Sequence, residues 1–202
     1  MTLETETVED WTAEGDCLLE LRDGTAVIVR PARAGDRPEV VEFVSRVSRD
    51  SVELRFAGPA REEAVTREIL GSPRSNDRLS LLMETLEEVP RVVGNAEYVQ
   101  YRQDPTRAEV AFLVADAFQG RGASTLLLHD LARRARAVGI RWFTAVVMAE
   151  NIVMRDVFLR GGFPYRVVFD WPTILIELDI GQAVAPPPGR DLNQFGRLMP
   201  VA

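Results

Sequence analysis

An apolar strand that runs through a glycine turn into a helix, residues 112–124, constrains the fold of this chain more than any other stretch. Gly120 and Gly122 lie in the turn and place no side chain between the backbone and a ligand. The amides of residues 120–124 are the first donors of the helix, so they lack intrahelical partners and lie at the positive end of its dipole. The turn therefore predicts an anion site, and a phosphate-bearing ligand is the first expectation.

The glycine turn fits neither of the two common nucleotide-binding patterns. A dinucleotide fingerprint needs a third glycine and a P-loop needs Gly-Lys-Ser/Thr, whereas Ser124 and Thr125 follow here. The turn does fit a third pattern, Gln/Arg-x-x-Gly-x-Gly/Ala, which binds the pyrophosphate of an acyl-coenzyme A. Gln119 and Gly122 match it, and Ser124 stands where glycine or alanine is usual. A bare Gly-x-Gly is equally compatible with a turn that binds nothing, so the rest of the chain must decide.

Composition bounds the classes of protein to which this chain can belong. Its 202 residues, 46% of them hydrophobic, are enough for one domain with its own core. A formal charge of −7 argues against a nucleic-acid partner and favours cationic substrates such as amines or lysine-bearing surfaces. Cys17 is the only cysteine, which excludes a disulfide framework and a thiolate metal site. We expect no metal, because the sequence lacks a set of candidate ligands. We expect no membrane partner and a cytoplasmic location, because the chain has no run of about 18 apolar residues and its acidic N-terminus lacks the basic region of a signal peptide.

The sequence predicts a mixed sheet flanked by helices. We expect a flexible acidic N-terminus at 1–15, a single domain at 16–180 and a loose tail at 181–202. The chain order is strands at 17–21 and 25–29, a helix after Asp36, a turn at 48–56, a helix at 59–70, strands at 79–85, 91–101 and 109–114, a helix at 122–138, a strand at 141–147, a helix at 151–160, and strands at 163–169 and 173–178. The fold class is α/β (α+β), with a mostly antiparallel sheet of about seven strands and one parallel crossover at the glycine turn.

Four local features are predicted from single residues. Asp23-Gly24 predicts a tight hairpin turn. Asp36, with Glu39 three residues later, resembles a capping box at the start of a helix. Gly94 indicates a bulge in a long strand, and Asn151 is expected to cap a short helix.

Titratable side chains outside the turn are interpreted as solvated groups. His129, the only histidine, lies on a polar flank of its helix and is predicted to be at the surface. Glu97 and Glu150 either line the acceptor end of a site or face solvent, and we favour solvent. The arginines near the end of the same helix are expected to point outward: Arg133, Arg134 and Arg136.

Three sequence pieces, in this order and spacing, resemble the GNAT acyltransferase superfamily. They are Ala108-Glu109-Val110-Ala111-Phe112, then Phe118-Gln119-Gly120-Arg121-Gly122, then Asn151-x-x-Met154 leading to Gly162-Phe163. The resemblance runs from Asp23 to Asp179. It is closest to the bacterial protein-lysine acetyltransferase domains that act on acyl-CoA synthetases.

The resemblance implies a site for acetyl-CoA as co-substrate. In the family, the parallel strands ending near Val114 and Val147 splay apart, and acyl-CoA lies in the V. Leu113 and Val114 would offer backbone groups to the pantetheine arm and an amide to the thioester oxygen, where negative charge develops during acyl transfer. Asn151 would hydrogen bond to the pantetheine. Gln119 belongs to the motif. The backbone amides that would donate hydrogen bonds to the phosphates are those of Gly120, Arg121, Gly122, Ala123 and Ser124.

The resemblance places Glu109 where a proton acceptor is required. A lysine amine with a pKa of ~10.4 is only about one part in 10³ unprotonated at pH 7, so attack needs a base, directly or through one water. Glu109 shares a strand face with Ala111, Leu113 and Ala115, an apolar setting that disfavours a charged carboxylate. Composition alone favours a solvated carboxylate at the start of a strand, whereas the position in the family favours the general base.

Two residues depart from the family pattern. Many relatives have a tyrosine seven residues after the asparagine to protonate the leaving thiolate, and here Phe158 stands there. Ser124 adds a side chain beside the phosphates. The leading prediction is direct transfer of an acetyl or other short acyl group to a protein lysine. The expected partner is a protein such as an acyl-CoA synthetase, and the expected enzyme is a monomer or homodimer. The alternatives are a small-molecule amine acetyltransferase and a non-catalytic acyl-CoA sensor.

Overall fold

The computed structural model describes residues 15–71 and 77–182, in which one eight-stranded sheet is flanked by helices. The elements in chain order are β1 (Cys17–Glu20), β2 (Ala26–Pro31), α1 (Arg37–Ser45), α2 (Arg49–Phe56), α3 (Glu62–Leu70), β3 (Arg78–Thr85), β4 (Val92–Tyr101), β5 (Asp104–Val114), α4 (Ala123–Ala137), β6 (Trp142–Met148), α5 (Ile152–Arg160), β7 (Tyr165–Asp170) and β8 (Thr173–Asp179). The sheet order is β1-β2-β3-β4-β5-β6-β8-β7. The predicted N-terminal segment and C-terminal tail lie almost entirely outside the described residues.

The sheet confirms the predicted fold class, with eight strands instead of about seven. Neighbouring strands pair antiparallel except β5 and β6, which run parallel. The parallel pairing covers three positions, from Arg107 opposite Trp142 to Glu109 opposite Thr144. β5 continues to Val114 and β6 to Met148 without pairing to each other, so the two strands separate into a V.

Helices cover both faces of the sheet. Because successive side chains of a strand point to opposite faces, each strand contributes to both layers of the core. On β5, Val110, Phe112 and Val114 pack in the core beneath α4 and α5, whereas Leu113 and Ala115 pack in a second core with α1, α2 and α3. The inward side chains predicted for α4 are all fully buried: Leu127, Leu128, Leu131 and Ala135. No helix in the described part of the chain is long and apolar enough to cross a membrane.

The predicted bulge in β4 is confirmed. Met83 pairs with Gly94 and Glu84 pairs with Val92, so Val93 is an extra residue in β4. A Cβ on Gly94 would lie 3.2 Å from Leu127 Cδ1, which explains why a residue without a side chain stands beneath α4. A bulge increases the local bend and twist of a strand.

The turn predicted at residues 48–56 is wrong, because α2 occupies Arg49–Phe56. The helix begins after Ser48, whose Oγ accepts a hydrogen bond from the Ser51 amide at 3.2 Å. Only Val52 is buried within it, so α2 lacks the apolar stripe by which a helix is recognised in sequence. Its position depends on contacts with a distant part of the chain, described below.

Asp36 precedes α1 as predicted, but its carboxylate does not cap the helix. Its oxygens accept hydrogen bonds from the Arg30 guanidinium at 2.8 and 2.9 Å, and one also accepts from the Arg33 amide at 2.6 Å. Arg30 also pairs with Glu84 and is only 11% exposed. A charge so deeply buried needs counter-ions, and the Asp36 carboxylate supplies one instead of capping α1.

We expect Asp36→Asn to lower the free energy of unfolding by about 1–3 kcal/mol at neutral pH, because Arg30 loses a hydrogen-bonded counter-ion. Burial by itself would raise the pKa of Asp36, but hydrogen bonds from Arg30 and the Arg33 amide outweigh it and hold the pKa below its usual value. This stabilisation is therefore complete above the unfolded-state pKa of ~3.9 and is lost as the pH falls through the lower folded-state value. Urea unfolding across that range should show the wild type and the variant converging at acid pH; a constant difference would contradict the assignment.

The outward orientation predicted for the arginines of α4 is wrong for Arg134. Its side chain is 1% exposed, and its Nε donates to Asp130 Oδ2 at 2.8 Å. Asp130 also accepts from Arg133, and Arg134 reaches the carbonyl of Gly15 at 2.6 Å. The buried acid one turn earlier makes an inward arginine tolerable.

Candidate active site

The V between β5 and β6 opens into a cleft of about 770 Å³. Its walls come from β5, β6, the glycine turn, the start of α4, α2 and α5. All but one of the sequence-predicted site residues line it: Glu109, Leu113, Val114, Gln119, Gly120, Gly122, Ala123, Ser124 and Asn151. The exception is Arg121. The structure thus brings together residues that are up to 42 positions apart, from Glu109 to Asn151.

The glycine turn has the backbone that its sequence predicts. Gly120 and Gly122 have φ angles of +72° and +92°, in the left-handed region that favours glycine. Thr125 and Leu126 are the first residues of the turn whose amides donate to a helix carbonyl, that of Gly122, at 3.1 Å each. Within the described residues, the amides of 120–124 have no backbone acceptor. They form a group of donors at the N-terminus of α4, which suits a phosphate.

The backbone of β5 faces the V at alternate residues. The Thr106 carbonyl accepts from the Arg141 amide before β6, and the Ala115 amide donates to the Val93 carbonyl in β4. Even-numbered residues of β5 therefore direct their backbone groups toward β6, and odd-numbered residues direct theirs toward β4. Val114 therefore presents backbone groups to the cleft, as the resemblance implied, and so does Phe112. The backbone groups of Leu113, which the resemblance also implied, are directed toward β4 instead, and Leu113 contributes its side chain to the cleft.

Gln119 connects the turn to two neighbouring segments. Its Nε2 donates to the Val114 carbonyl at 3.1 Å and to Ser51 Oγ at 3.0 Å. The side chain therefore holds the turn against the end of β5 and against α2.

Asp116, which sequence reasoning missed, fixes the start of α2. Its carboxylate accepts from the Ser48 amide at 2.8 Å, from Ser48 Oγ at 2.7 Å and from Ser51 Oγ at 2.9 Å. Burial would raise the pKa of Asp116, but these hydrogen bonds outweigh it and lower the pKa. Residues 54–57, at the end of α2, then line the cleft. No local pattern signals this contact, because its partners are far apart in sequence.

Asn151 caps α5, as predicted. Its Oδ1 accepts from the Met154 amide at 3.0 Å. Within the described residues its Nδ2 donates to no protein group, and Asn151 lines the cleft. This amide is therefore available to donate a hydrogen bond to a ligand.

Glu109 lies at the last position of β5 that pairs with β6, where the V begins. Its side chain is exposed, so the apolar setting predicted from the sequence does not enclose it. Tyr101 lies nearby: burial raises the pKa of its hydroxyl, and the negative charge of Glu109 raises it further. Glu109 is thus a carboxylate that a group entering the cleft can reach.

Glu97, which we predicted to be solvated, is instead buried, with 2% exposure. It forms ion pairs with Arg55 of α2 and with Arg78 at the start of β3. In the sequence of β4, Glu97 occupies a polar position that suggests a solvent-facing side chain. In the structure, α1, α2 and α3 cover that face of the sheet. Arg55 lines the cleft, whereas Glu97 does not. The ion pair with buried Glu97 therefore fixes the position of a residue of the cleft wall.

His129 is half-buried, so the predicted surface position is wrong. Its ring lies 5.0 Å from the ring of Phe163. Burial lowers its pKa, an effect that a hydrogen bond with Gly161 opposes. His129 does not line the cleft, and Cys17 is buried in the core on β1. Among the described residues, no group of three or more acidic, histidine or cysteine side chains is placed to hold a metal ion.

Comparison with known proteins identifies one family. The family model described as "Acetyltransferase (GNAT) domain" matches residues 26–164 of this chain. The chain is 28% identical over 162 residues to Acetyltransferase Pat of Mycolicibacterium smegmatis, covering 80% of this chain and 48% of that protein. It is 30% identical over 153 residues to Acetyltransferase PA5475 of Pseudomonas aeruginosa. This match covers 74% of this chain and 82% of that protein. The chain spans about half the length of the Mycolicibacterium relative.

Among solved structures, the GNAT domain of S. lividans PAT is similar to this chain with a TM-score of 0.72 and 30% sequence identity. The similarity covers 81% of this chain and 96% of that domain.

Proposed function

This chain belongs to the GNAT acetyltransferase family, and on that premise we propose that it acetylates the side-chain amine of a lysine on a partner protein. It is an acyl-CoA-dependent N-acetyltransferase, and the proposed donor is acetyl-CoA. One observation carries the proposal: a single cleft joins the anion-binding turn after β5 to Glu109, where β5 and β6 part.

The residues of the cleft fit acetyl-CoA, which supplies the thioester. The amides of 120–124 are unpaired donors for its pyrophosphate. Asn151 Nδ2 is placed to donate to an amide carbonyl of the pantetheine arm. The backbone groups of Phe112 and Val114 face the same gap, so the arm can lie along β5 as an added strand would. An amide donor from β5 would stabilise negative charge on the thioester oxygen.

Glu109 is proposed as the general base. The incoming lysine has a pKa of ~10.4 and must lose a proton before its nitrogen can attack. Glu109 accepts that proton, directly or through one water, and the exposed position of its side chain lets a lysine reach it from the protein surface.

No side chain at position 158 donates a proton to the leaving group. Phe158 is 2% exposed and packs edge-on against Phe112, with ring centroids 5.6 Å apart. A thiol with a pKa of ~8.5 is a fair leaving group, so water can supply the proton. The missing tyrosine hydroxyl is therefore compatible with turnover.

The acceptor end favours a protein over a free amine. Leu54, Arg55 and Phe56 of α2, with Ala57 directly after it, line the same cleft beside an exposed carboxylate, which leaves an accessible rim for a protein surface. The formal charge of −7 favours approach of a lysine-bearing patch. An acyl-CoA synthetase is the leading acceptor class, through the resemblance to Pat-type domains.

Release of free coenzyme A thiol, corrected for hydrolysis, tests the proposal. The protein and acetyl-CoA are incubated with an acyl-CoA synthetase, with the same synthetase carrying Arg in place of its modified lysine, or with small amines. We expect release that depends on the intact synthetase. Release with small amines alone would favour the small-molecule alternative, and tight binding without any acceptor-dependent release would favour the sensor.

A further inference from the structure

The hairpin between β1 and β2 places a second arginine against the glycine turn. The amide of Arg22 donates to the carbonyl of Arg121 at 3.0 Å, which holds the hairpin against the turn. The side chain of Arg22 is exposed and lines the cleft. Arg22 is 100 positions before Gly122, so no sequence motif joins the two.

The stem of Arg22 crosses the backbone of Gly122. A Cβ on Gly122 would lie 3.3 Å from both Cγ and Nε of Arg22. Gly122 therefore does more than adopt a positive φ angle: it also leaves the space that the side chain of Arg22 occupies beside the turn. The charge of Arg22 lies beside the donors that suit a phosphate.

Arg121, the arginine inside the motif, is engaged elsewhere. Its guanidinium pairs with Asp23 at 2.9 Å and lies over the ring of Phe118, 5.0 Å from the centroid. Arg121 is not among the residues that line the cleft. Its positive charge is thus already paired with a carboxylate outside the cleft.

The other arginines of the cleft wall are also paired. Arg55 forms an ion pair with Glu97, and Arg160 pairs with Asp156 at 3.5 Å. Within residues 15–71 and 77–182, no carboxylate pairs with Arg22. Arg22 is therefore the arginine of the cleft wall whose charge remains available to an anion.

An acidic protein that binds a polyanion benefits from such a charge. The formal charge of −7 repels anions at long range, whereas backbone amides supply only partial charges. Arginine forms charge-assisted, often bidentate hydrogen bonds with phosphate oxygens.

We propose that Arg22 is a binding residue that pairs with the diphosphate of acyl-CoA, and that Arg121 instead secures the hairpin through Asp23. This assignment rests on the proposed function for the identity of the ligand. It adds a binding residue from the β1–β2 hairpin to a cleft otherwise lined by β5, β6, the glycine turn, α2, α4 and α5.

Calorimetric binding of three ligands tests the assignment. The ligands are coenzyme A, dephospho-coenzyme A, which lacks the 3′-phosphate, and pantetheine, which lacks all phosphates. Arg22→Gln is compared with Arg121→Gln and with Arg102→Gln, a surface change of equal charge at the β4–β5 turn. We expect Arg22→Gln to weaken binding of coenzyme A and dephospho-coenzyme A by about tenfold, without changing pantetheine binding. Arg121→Gln should cause a smaller loss, and Arg102→Gln should leave binding unchanged.

Each other outcome overturns the assignment in a distinct way. An equal loss for pantetheine, or a lowered unfolding temperature in Arg22→Gln alone, would mean that Arg22 acts on the fold. A loss confined to coenzyme A would place the contact at the 3′-phosphate. A loss in Arg121→Gln as large as in Arg22→Gln would restore the motif arginine as the ligand. A wild type that binds none of the three would refute the proposed function and this assignment with it, whereas normal binding by Arg22→Gln refutes the assignment alone.

Discussion

Glu109→Gln should lower kcat/KM for acetyl transfer by about 10²–10⁴, the usual contribution of a positioned general base. Glutamine keeps the size and hydrogen-bonding capacity of the side chain but cannot accept the lysine proton. Glu109 lies at the last position of β5 that pairs with β6, and its side chain is exposed, so the fold does not depend on its charge. Steady-state kinetics with a protein acceptor measures the loss.

Two controls separate a chemical role for Glu109 from a structural one. The dissociation constant for coenzyme A should stay within about twofold of the wild-type value. The free energy of unfolding should stay within about 0.5 kcal/mol of the wild-type value. Glu150→Gln, which removes an exposed carboxylate after β6, should leave kcat/KM unchanged. Unchanged turnover in Glu109→Gln would remove Glu109 from the mechanism, and a matching loss in Glu150→Gln would indicate an effect of net charge.

Glu97→Gln should have the largest effect on stability, a loss of about 3–5 kcal/mol in the free energy of unfolding. Glu97 is 2% exposed and pairs with both Arg55 and Arg78, so the neutral side chain leaves two partly buried guanidinium groups without their shared counter-ion. Arg78 Nε already lacks a hydrogen-bond partner among the described residues. Chemical denaturation at neutral pH measures the difference.

The matched control for Glu97 is Glu87→Gln. Glu87 pairs with Arg91, but the two side chains are 49% and 46% exposed. Because exposed ion pairs contribute little, its removal should cost within about 0.5 kcal/mol. Equal losses in the two variants would show that Glu97 is not a buried counter-ion.

Glu97→Gln should also weaken binding of the acceptor at temperatures where the variant remains folded, because Arg55, which loses its ion pair, lines the cleft.

Features determined by local chemistry could be predicted from the sequence. The positive φ angles of Gly120 and Gly122, the cap at Asn151 and the bulge beside Gly94 each follow from a residue and its immediate neighbours. The parallel crossover follows from a strand, a helix and a strand in succession. These features place the cleft and most of its lining.

Features determined by distant contacts could not be predicted. α2 has one buried residue, Val52, and is fixed by Asp116 at a sequence separation of 68 from Ser48. Period-two patterning on β4 makes Glu97 look solvated, because the helices that cover that face are not visible in the strand itself. Arg121 lies inside the motif, but its side chain pairs with Asp23, 98 positions earlier, and does not line the cleft. In each case a partner outside the local window decides the side chain's environment.

The most direct test of the account is the mass of the acceptor after reaction. An acyl-CoA synthetase is incubated with acetyl-CoA and either the wild-type protein or Glu109→Gln, digested, and analysed by mass spectrometry. We predict that one identified lysine gains the mass of one acetyl group with the wild type and remains almost unmodified with the variant. Equal acetylation by both proteins, or acetylation spread equally over many lysines with and without the protein, would contradict catalysis at the cleft between β5 and β6.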